Sequence, residues 1–421
     1  MNKAVLLVAG TVLALSSTVT TQPYATSLEQ DKKALVQAIH AFGMKLYDQV
    51  GATGGNSCLS PASVSMAMLM SLMGARGETA AEMIAVLGLK EHAPRRGRSQ
   101  AGMGWSPDRV QRALGALLKD LNAPSEKSEL HVVNDMWGQQ GYGFLPDYVQ
   151  RLAESGASLR ELDFANAPER ARQTINDYIA KQTRGRITNL LEPGSVTPIV
   201  RQVLTNAVYF KARWESEFSA RGTKPRPFTL AGGEQVMAPT MRQRDDFWYG
   251  ETEDLQILRM GYDESRLEMV ILLPRPGRDL GVARRALEPD ALAAWMKTAQ
   301  YREVVVSLPR FEFESRFCLR SALEKMGMSR AFDPERSDFT GINGGVEPFP
   351  MSDLIHKAFL KIDETGTEAA AATGELKCGA AIHDNPPPPA VFTADRPFLL
   401  AIRDPHSGLL LFVGKVVDPR S

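Results

Sequence analysis

Six histidines (His40, His92, His131, His356, His383 and His406) and three cysteines (Cys58, Cys318 and Cys378) are the residues best suited to hold a metal or form a nucleophile–base pair. The histidines never recur at ligand spacing, and the cysteines make neither a CxxC pair nor a Cys/His set. An odd number of widely spread cysteines is no disulfide framework either. Cys58 and Cys318 sit among apolar neighbours and read as buried small hydrophobes, whereas Cys378 lies in a polar stretch and reads as exposed. The chain has no GxSxG elbow, no HExxH, no GxxxxGK[ST] loop and no GxGxxG after a strand, so hydrolase, zinc and nucleotide chemistry lack local support. No metal and no cofactor are expected. The segment Glu364 to Ala390, ETGTEAAAATGELKCGAAIHDNPPPPA, stands out instead. It carries no large apolar residue from Glu364 to Glu375, so it reads as an exposed loop. Its alternation nevertheless suits a strand. With Thr367, Ala369, Ala371 and Thr373 on one side, the charge of Glu368 falls on the other with Ala370, Ala372 and Gly374. Small side chains with β-branched Thr could slide between existing strands; taken alone, the segment reads first as a flexible Ala/Gly/Thr linker.

The surrounding elements are those of a folded, neutral protein. With 43% hydrophobic and 23% charged residues over 421 positions, disorder, a collagen-like fibre and a multi-span membrane protein are excluded. Equal numbers of basic and acidic residues, 49 each, give no net pull toward nucleic acid or acidic membranes. Met1 to Ala25 reads as a secretory signal: Lys3, an apolar stretch from Ala4 to Leu15 too short to span a bilayer, then small and polar residues. Leu35, Ile39, Phe42 and Leu46, and later Val110, Leu114, Leu117, Leu118 and Leu121, repeat at helical spacing. Ser60-Pro61 opens ASVSMAMLMSLM, predicted as a helix buried all round with Ser60 as cap. QVLTNAVYF (202–210), LEMVILL (267–273) and EVVVSL (303–308) are predicted strands, and FLLAI with LLLFV about RDPHSG a hairpin. The length allows two or three domains, yet no linker, charge run or repeat divides the chain. The polar stretch His92 to Arg109, with Arg95, Arg96 and Arg98, reads as a solvated loop.

HKAFLKIDETGTEAAAATG (356–374) resembles the hinge signature of the serpins. Other segments are similar in order along the chain: NSCLSPASVSMAMLMSLMGARGETAAEM (56–83), INDYIAKQTRGRITNLL (175–191), TNAVYFKARWESEF (205–218), SDFTGI (337–342) and ADRPFLLAIRDPHSGLLLFVGKVVDP (394–419). The resemblance implies an α+β serpin fold. This comprises a large mixed central sheet, two smaller sheets, eight to nine helices and an exposed reactive-centre loop over about 364–390. One domain is expected over 26–421, and the type is that of inhibitory, secreted bacterial-like members. By position, Glu364, Gly366, Thr367, Glu368, Ala369, Ala370, Ala371 and Ala372 match the hinge. Ser60, Ser63, Asn206 and His356 match the buried polar cluster beneath the opening of the main sheet, and Trp214 the aromatic at its top.

The implied activity is suicide inhibition and not catalysis. A serine protease attacks the loop, forms a covalent acyl complex, and the freed loop inserts as a new strand. Roughly 14 residues at about 3.3 Å each would carry the enzyme some 46 Å. Counting from Glu364 as inhibitory members do, the scissile bond joins Ala380 to Ala381, which suits elastase-like or subtilisin-like targets. Leu376 or Lys377 would instead suit a chymotrypsin-like or a trypsin-like one. Glu375 and Lys377 would face inward after insertion, where the family has apolar residues. They favour the alternative of a non-inhibitory serpin that binds or assists folding. The partner implied is a protease, with no nucleic acid, no membrane after signal cleavage, a monomeric state, and a secreted or periplasmic location.

Overall fold

The computed structural model describes residues 25–51, 54–89, 105–121, 128–263, 265–345, 349–367 and 388–420. Residues 1–24 of the expected signal at 1–25, Arg95, Arg96, Arg98, Cys378 and residues 368–387 lie outside them. The described helices are α1 (Ala25–Val50), α2 (Pro61–Gly74), α3 (Gly77–Val86), α4 (Pro107–Leu121), α5 (Pro146–Glu154), α6 (Pro168–Gln182), α7 (Leu280–Ala286), α8 (Pro289–Thr298), α9 (Arg320–Lys325) and α10 (Thr340–Asn343). The described strands are β1 (Ser57–Leu59), β2 (Ser128–Gln139), β3 (Ser158–Leu162), β4 (Gln202–Arg213), β5 (Lys224–Thr229), β6 (Gln235–Glu251), β7 (Leu255–Gly261), β8 (Glu268–Pro274), β9 (Gln300–Pro309), β10 (Phe311–Cys318), β11 (Ile355–Ile362), β12 (Gly366–Thr367), β13 (Ala390–Thr393), β14 (Phe398–Arg403) and β15 (Leu410–Val416).

The architecture is α+β, with every predicted strand and helix found. Ten helices are described against the eight or nine expected, because short ones such as α10, of four residues, carry no periodic signal. The two smaller sheets expected are joined by hydrogen bonds into one nine-stranded sheet, ordered β1-β15-β14-β8-β7-β6-β9-β13 with β5 on β6. The mixed sheet that carries the hinge is six-stranded, β10-β11-β12-β4-β2-β3.

Two apolar clusters sandwich the six-stranded sheet. On one face Ile175 and Ile179 of α6 pack with Trp137 of β2, Ala207 of β4 and Ile355 of β11. On the other, strand residues such as Leu204, Val208 and Ala358 join the main core with α2. Alternation along β4 and β11 therefore assigns Asn206 and His356 to the α2 face, opposite Ala207 and Ile355. α2 is buried at every position, and Ser60 caps it by accepting from the Ser63 N–H at 3.2 Å. The expectation of two buried cysteines is half corrected. Cys58 is buried, but Cys318 is exposed, because it follows Glu312, Glu314 and Arg316 on the outward side of β10.

Candidate functional site

Below β12, three strands and a helix end bring buried polar groups and the half-buried Asn134 into one network. Register places Asn206 of β4 directly between Asn134 of β2 and His356 of β11. The His356 ring accepts at Nε2 from the Ser60 N–H at 3.0 Å. Its proton must then sit on Nδ1, which donates to Asn206 Oδ1. Asn206 Nδ2 donates onward to Asn134 Oδ1 at 2.7 Å, and that oxygen also accepts from Ser63 Oγ at 3.3 Å. His356 and Asn206 are fully buried, and the Phe317 ring lies parallel to the imidazole with centroids 6.3 Å apart. Burial pushes the His356 pKa down to about 3, so the ring is neutral and this tautomer is fixed. Ser60, Ser63, Asn206 and His356 are thus brought together. Asn134 completes the set, and the sequence reading missed it. Its signal was an Asn inside the apolar run HVVNDMW.

Above this network the sheet is split. β11 and β4 pair directly, and in parallel, only from Ile355–Thr205 to Ala358–Val208. Farther along, β12 stands between them, antiparallel to both: Thr367 faces Ile362 on one side and Ala212 on the other. Asp363 makes the turn from β11 into β12, its Oδ1 accepting from the Thr365 and Gly366 N–H groups at 3.0 and 3.3 Å. Gly366 is required there. It adopts φ 154°, and a Cβ would stand 2.0 Å from the Ala212 carbonyl oxygen.

Trp214 lies at the top of the split. Its backbone N–H donates to Thr365 O at 2.9 Å and its indole N–H to Asp363 O at 3.0 Å. The indole stacks on Tyr262, centroids 4.8 Å apart and planes 10° off parallel. The Tyr262 hydroxyl in turn bonds the Thr367 hydroxyl at 2.7 Å. Burial pushes the Tyr262 phenol far up, so it stays protonated. Sequence reasoning missed Tyr262 as well, since GYDES carries no periodic or motif signal.

The expectation that the loop is exposed from Glu364 onward is corrected. Glu364, Gly366 and Thr367 are buried. Glu364 accepts from Thr223 Oγ1 at 2.6 Å and pairs with Arg310 at 3.4 Å, while Gly366 and Thr367 satisfy their backbones in the sheet. Composition could not foresee this, because the burial comes from main-chain pairing and not from apolar side chains. Glu368, Ala369, Ala370, Ala371, Ala372, Ala380 and Ala381 lie outside the described residues.

Among the described residues no group of three or more His, Cys, Asp or Glu could hold a metal ion. No described helix is long and apolar enough to cross a membrane. What the arrangement can do is mechanical. A chain arriving from Thr367 can lengthen β12 by parting the short β11–β4 pairing, provided the Asn206–His356 contact lets go.

A family model for Serpin (serine protease inhibitor) matches residues 37–419. An uncharacterized serpin-like protein of Thermococcus kodakarensis is 36% identical over 407 residues, 96% of this chain and 90% of that one. The leukocyte elastase inhibitor of Homo sapiens is 35% identical over 374 residues, 87% of this chain and 93% of its own. Among solved structures, the thermophilic serpin Tengpin in its native state matches with a TM-score of 0.77 at 26% identity, covering 91% of this chain and 94% of its own. Human thyroxine-binding globulin complexed with thyroxine matches with a TM-score of 0.79 at 26% identity, covering 93% and 99%. With its sheet split at the hinge and its segments matched nearly end to end, the chain belongs to the serpin family.

Proposed function

We propose that the chain is a suicide-substrate inhibitor of serine proteases and not itself an enzyme. The protease serine attacks the Ala380 carbonyl, the bond to Ala381 breaks, the new amine takes a proton, and Ala380 remains as an ester on the enzyme. The freed segment then continues β12 downward between β11 and β4. The observation that carries this reading is β12 itself, a two-residue strand already antiparallel to both neighbours. Lengthening it would replace a four-residue parallel pairing by two antiparallel ladders. The gain is in bonds made and in geometry, since parallel pairing is the weaker per residue. Small residues at 369–372 suit that path. Alanine before the bond fits a shallow pocket, hence elastase-like or subtilisin-like targets, and the inhibitor acts as a monomer after export to the periplasm or medium.

Incubation with pancreatic elastase, subtilisin and trypsin, read on a denaturing gel, tests the proposal. A covalent band and a released C-terminal peptide beginning at Ala381 are expected. Cleavage without a band would reject inhibition, and a peptide starting elsewhere would move the bond. One sequence feature favours a second reading, a serpin that binds without inhibiting. Glu375 and Lys377 fall on the inward side of the inserted strand, where an unpaired charge is costly.

A further inference from the structure

The outward face of the nine-stranded sheet carries an aromatic pair that loop insertion does not use. Trp248 of β6 and Tyr301 of β9 stand opposite one another, ring centroids 5.7 Å apart, and are 42% and 62% exposed. Trp248 is held rigidly from beside. Arg259, its partner in β7, lies over the indole at 5.1 Å, and its Nε and Nη2 donate to the buried Glu268 at 3.0 and 2.8 Å. A half-exposed aromatic fixed in place loses little freedom on contact, which is how interface hot spots behave. Asp246, exposed and two positions before Trp248 on the same face, contributes negative charge beside Tyr301.

Position says what meets this face. β13 runs parallel to β9 with Ala390 opposite Val304, and Arg302 donates to the Pro388 carbonyl at 2.8 Å. The loop therefore rejoins the sheet one residue from Tyr301. Pro388 follows Ala380 by 388 minus 380, or eight positions, a reach of at most about 26 Å at about 3.3 Å per residue. A protease domain of about 220 residues, with a radius of gyration near ~17 Å, would overhang this face when seated on the bond.

We propose that Trp248, Tyr301 and Asp246 form a docking surface for the target protease outside the loop, taking a lysine or arginine side chain beside the enzyme's cleft. The cation lies over the Tyr301 ring, against the edge of the Trp248 indole that Arg259 already covers, and Asp246 supplies the counter-charge. This rests on the inhibitory reading. The test measures association rate constants for the full chain and for Tyr301→Ala and Asp246→Asn, with whichever of subtilisin and pancreatic elastase gives a covalent band.

Tyr301→Ala should slow association about tenfold with unchanged stoichiometry of inhibition. Asp246→Asn should slow association and flatten its salt dependence. Rates within twofold of the parent for both Tyr301→Ala and Asp246→Asn would overturn the docking surface alone. No covalent band from the parent would sink it together with the inhibitory reading. Sedimentation showing a dimer that Tyr301→Ala dissolves would assign the face to a second copy instead.

Discussion

Acid should loosen the six-stranded sheet through one residue. The His356 pKa is about 3 in the fold, from burial, against an ordinary 6.5 in the unfolded chain. The folded form therefore binds fewer protons, and stability falls as pH drops below 6.5, with the loss growing until pH approaches 3. At pH 5 the offset is 1.5 units, or about 2 kcal/mol at about 1.36 kcal/mol per unit. The ring is fully buried, so solvent screening does not reduce this. The loss should fall on the β11–β4 pairing, because a protonated Nε2 can no longer accept from the Ser60 N–H.

Urea unfolding at pH 7.5 and pH 5.0, for the parent and His356→Gln, isolates the effect. The amide can serve the same two partners but gains no proton. The parent should lose about 2 kcal/mol more than the variant across that interval. His40 is also lowered, chiefly by burial, and its Nε2–H donates to Leu287 O at 2.7 Å, but it is common to both proteins and cancels. Equal losses in the two proteins would refute the argument that His356 holds the sheet shut as a neutral ring.

Two further substitutions probe the same opening. Asn134→Ala removes the acceptor for both Asn206 Nδ2 and Ser63 Oγ, and should cost about 1–3 kcal/mol in urea unfolding; a cost near zero would remove Asn134 from the network. Thr367→Arg places a long cation where Thr367 is 2% exposed and bonded to Tyr262, so β12 should be expelled and the proposed inhibition should give way to plain cleavage as a substrate. Retained inhibition on the denaturing gel would sink insertion through this position.

Much of this arrangement was legible because it is written in side-chain periodicity. The apolar runs of β4, β8, β9 and the β14–β15 hairpin and the capped, uniformly apolar α2 could be read directly, and the ordered segments resembling the serpins carried Ser60, Asn206, Trp214 and His356. What escaped depends on pairing between distant strands. Asn134 acquires its role only when β2 is set in register beside β4, and Tyr262 only when Trp214 stacks on it. Glu364 to Thr367 looked exposed because side-chain composition is silent about main-chain hydrogen bonds. Cys318 looked buried from its neighbours in sequence, although the period of two in β10 turns it outward.

The central claim, that the cut loop enters the sheet between β11 and β4, is tested most directly by heat. The chain would be cleaved within residues 368–387 by a protease it does not trap, and its unfolding temperature compared with that of the intact chain. Insertion adds a strand bonded on both sides, so the cleaved parent should unfold more than about 10 °C higher, while cleaved Thr367→Arg should not. An unchanged unfolding temperature in the cleaved parent would contradict the account.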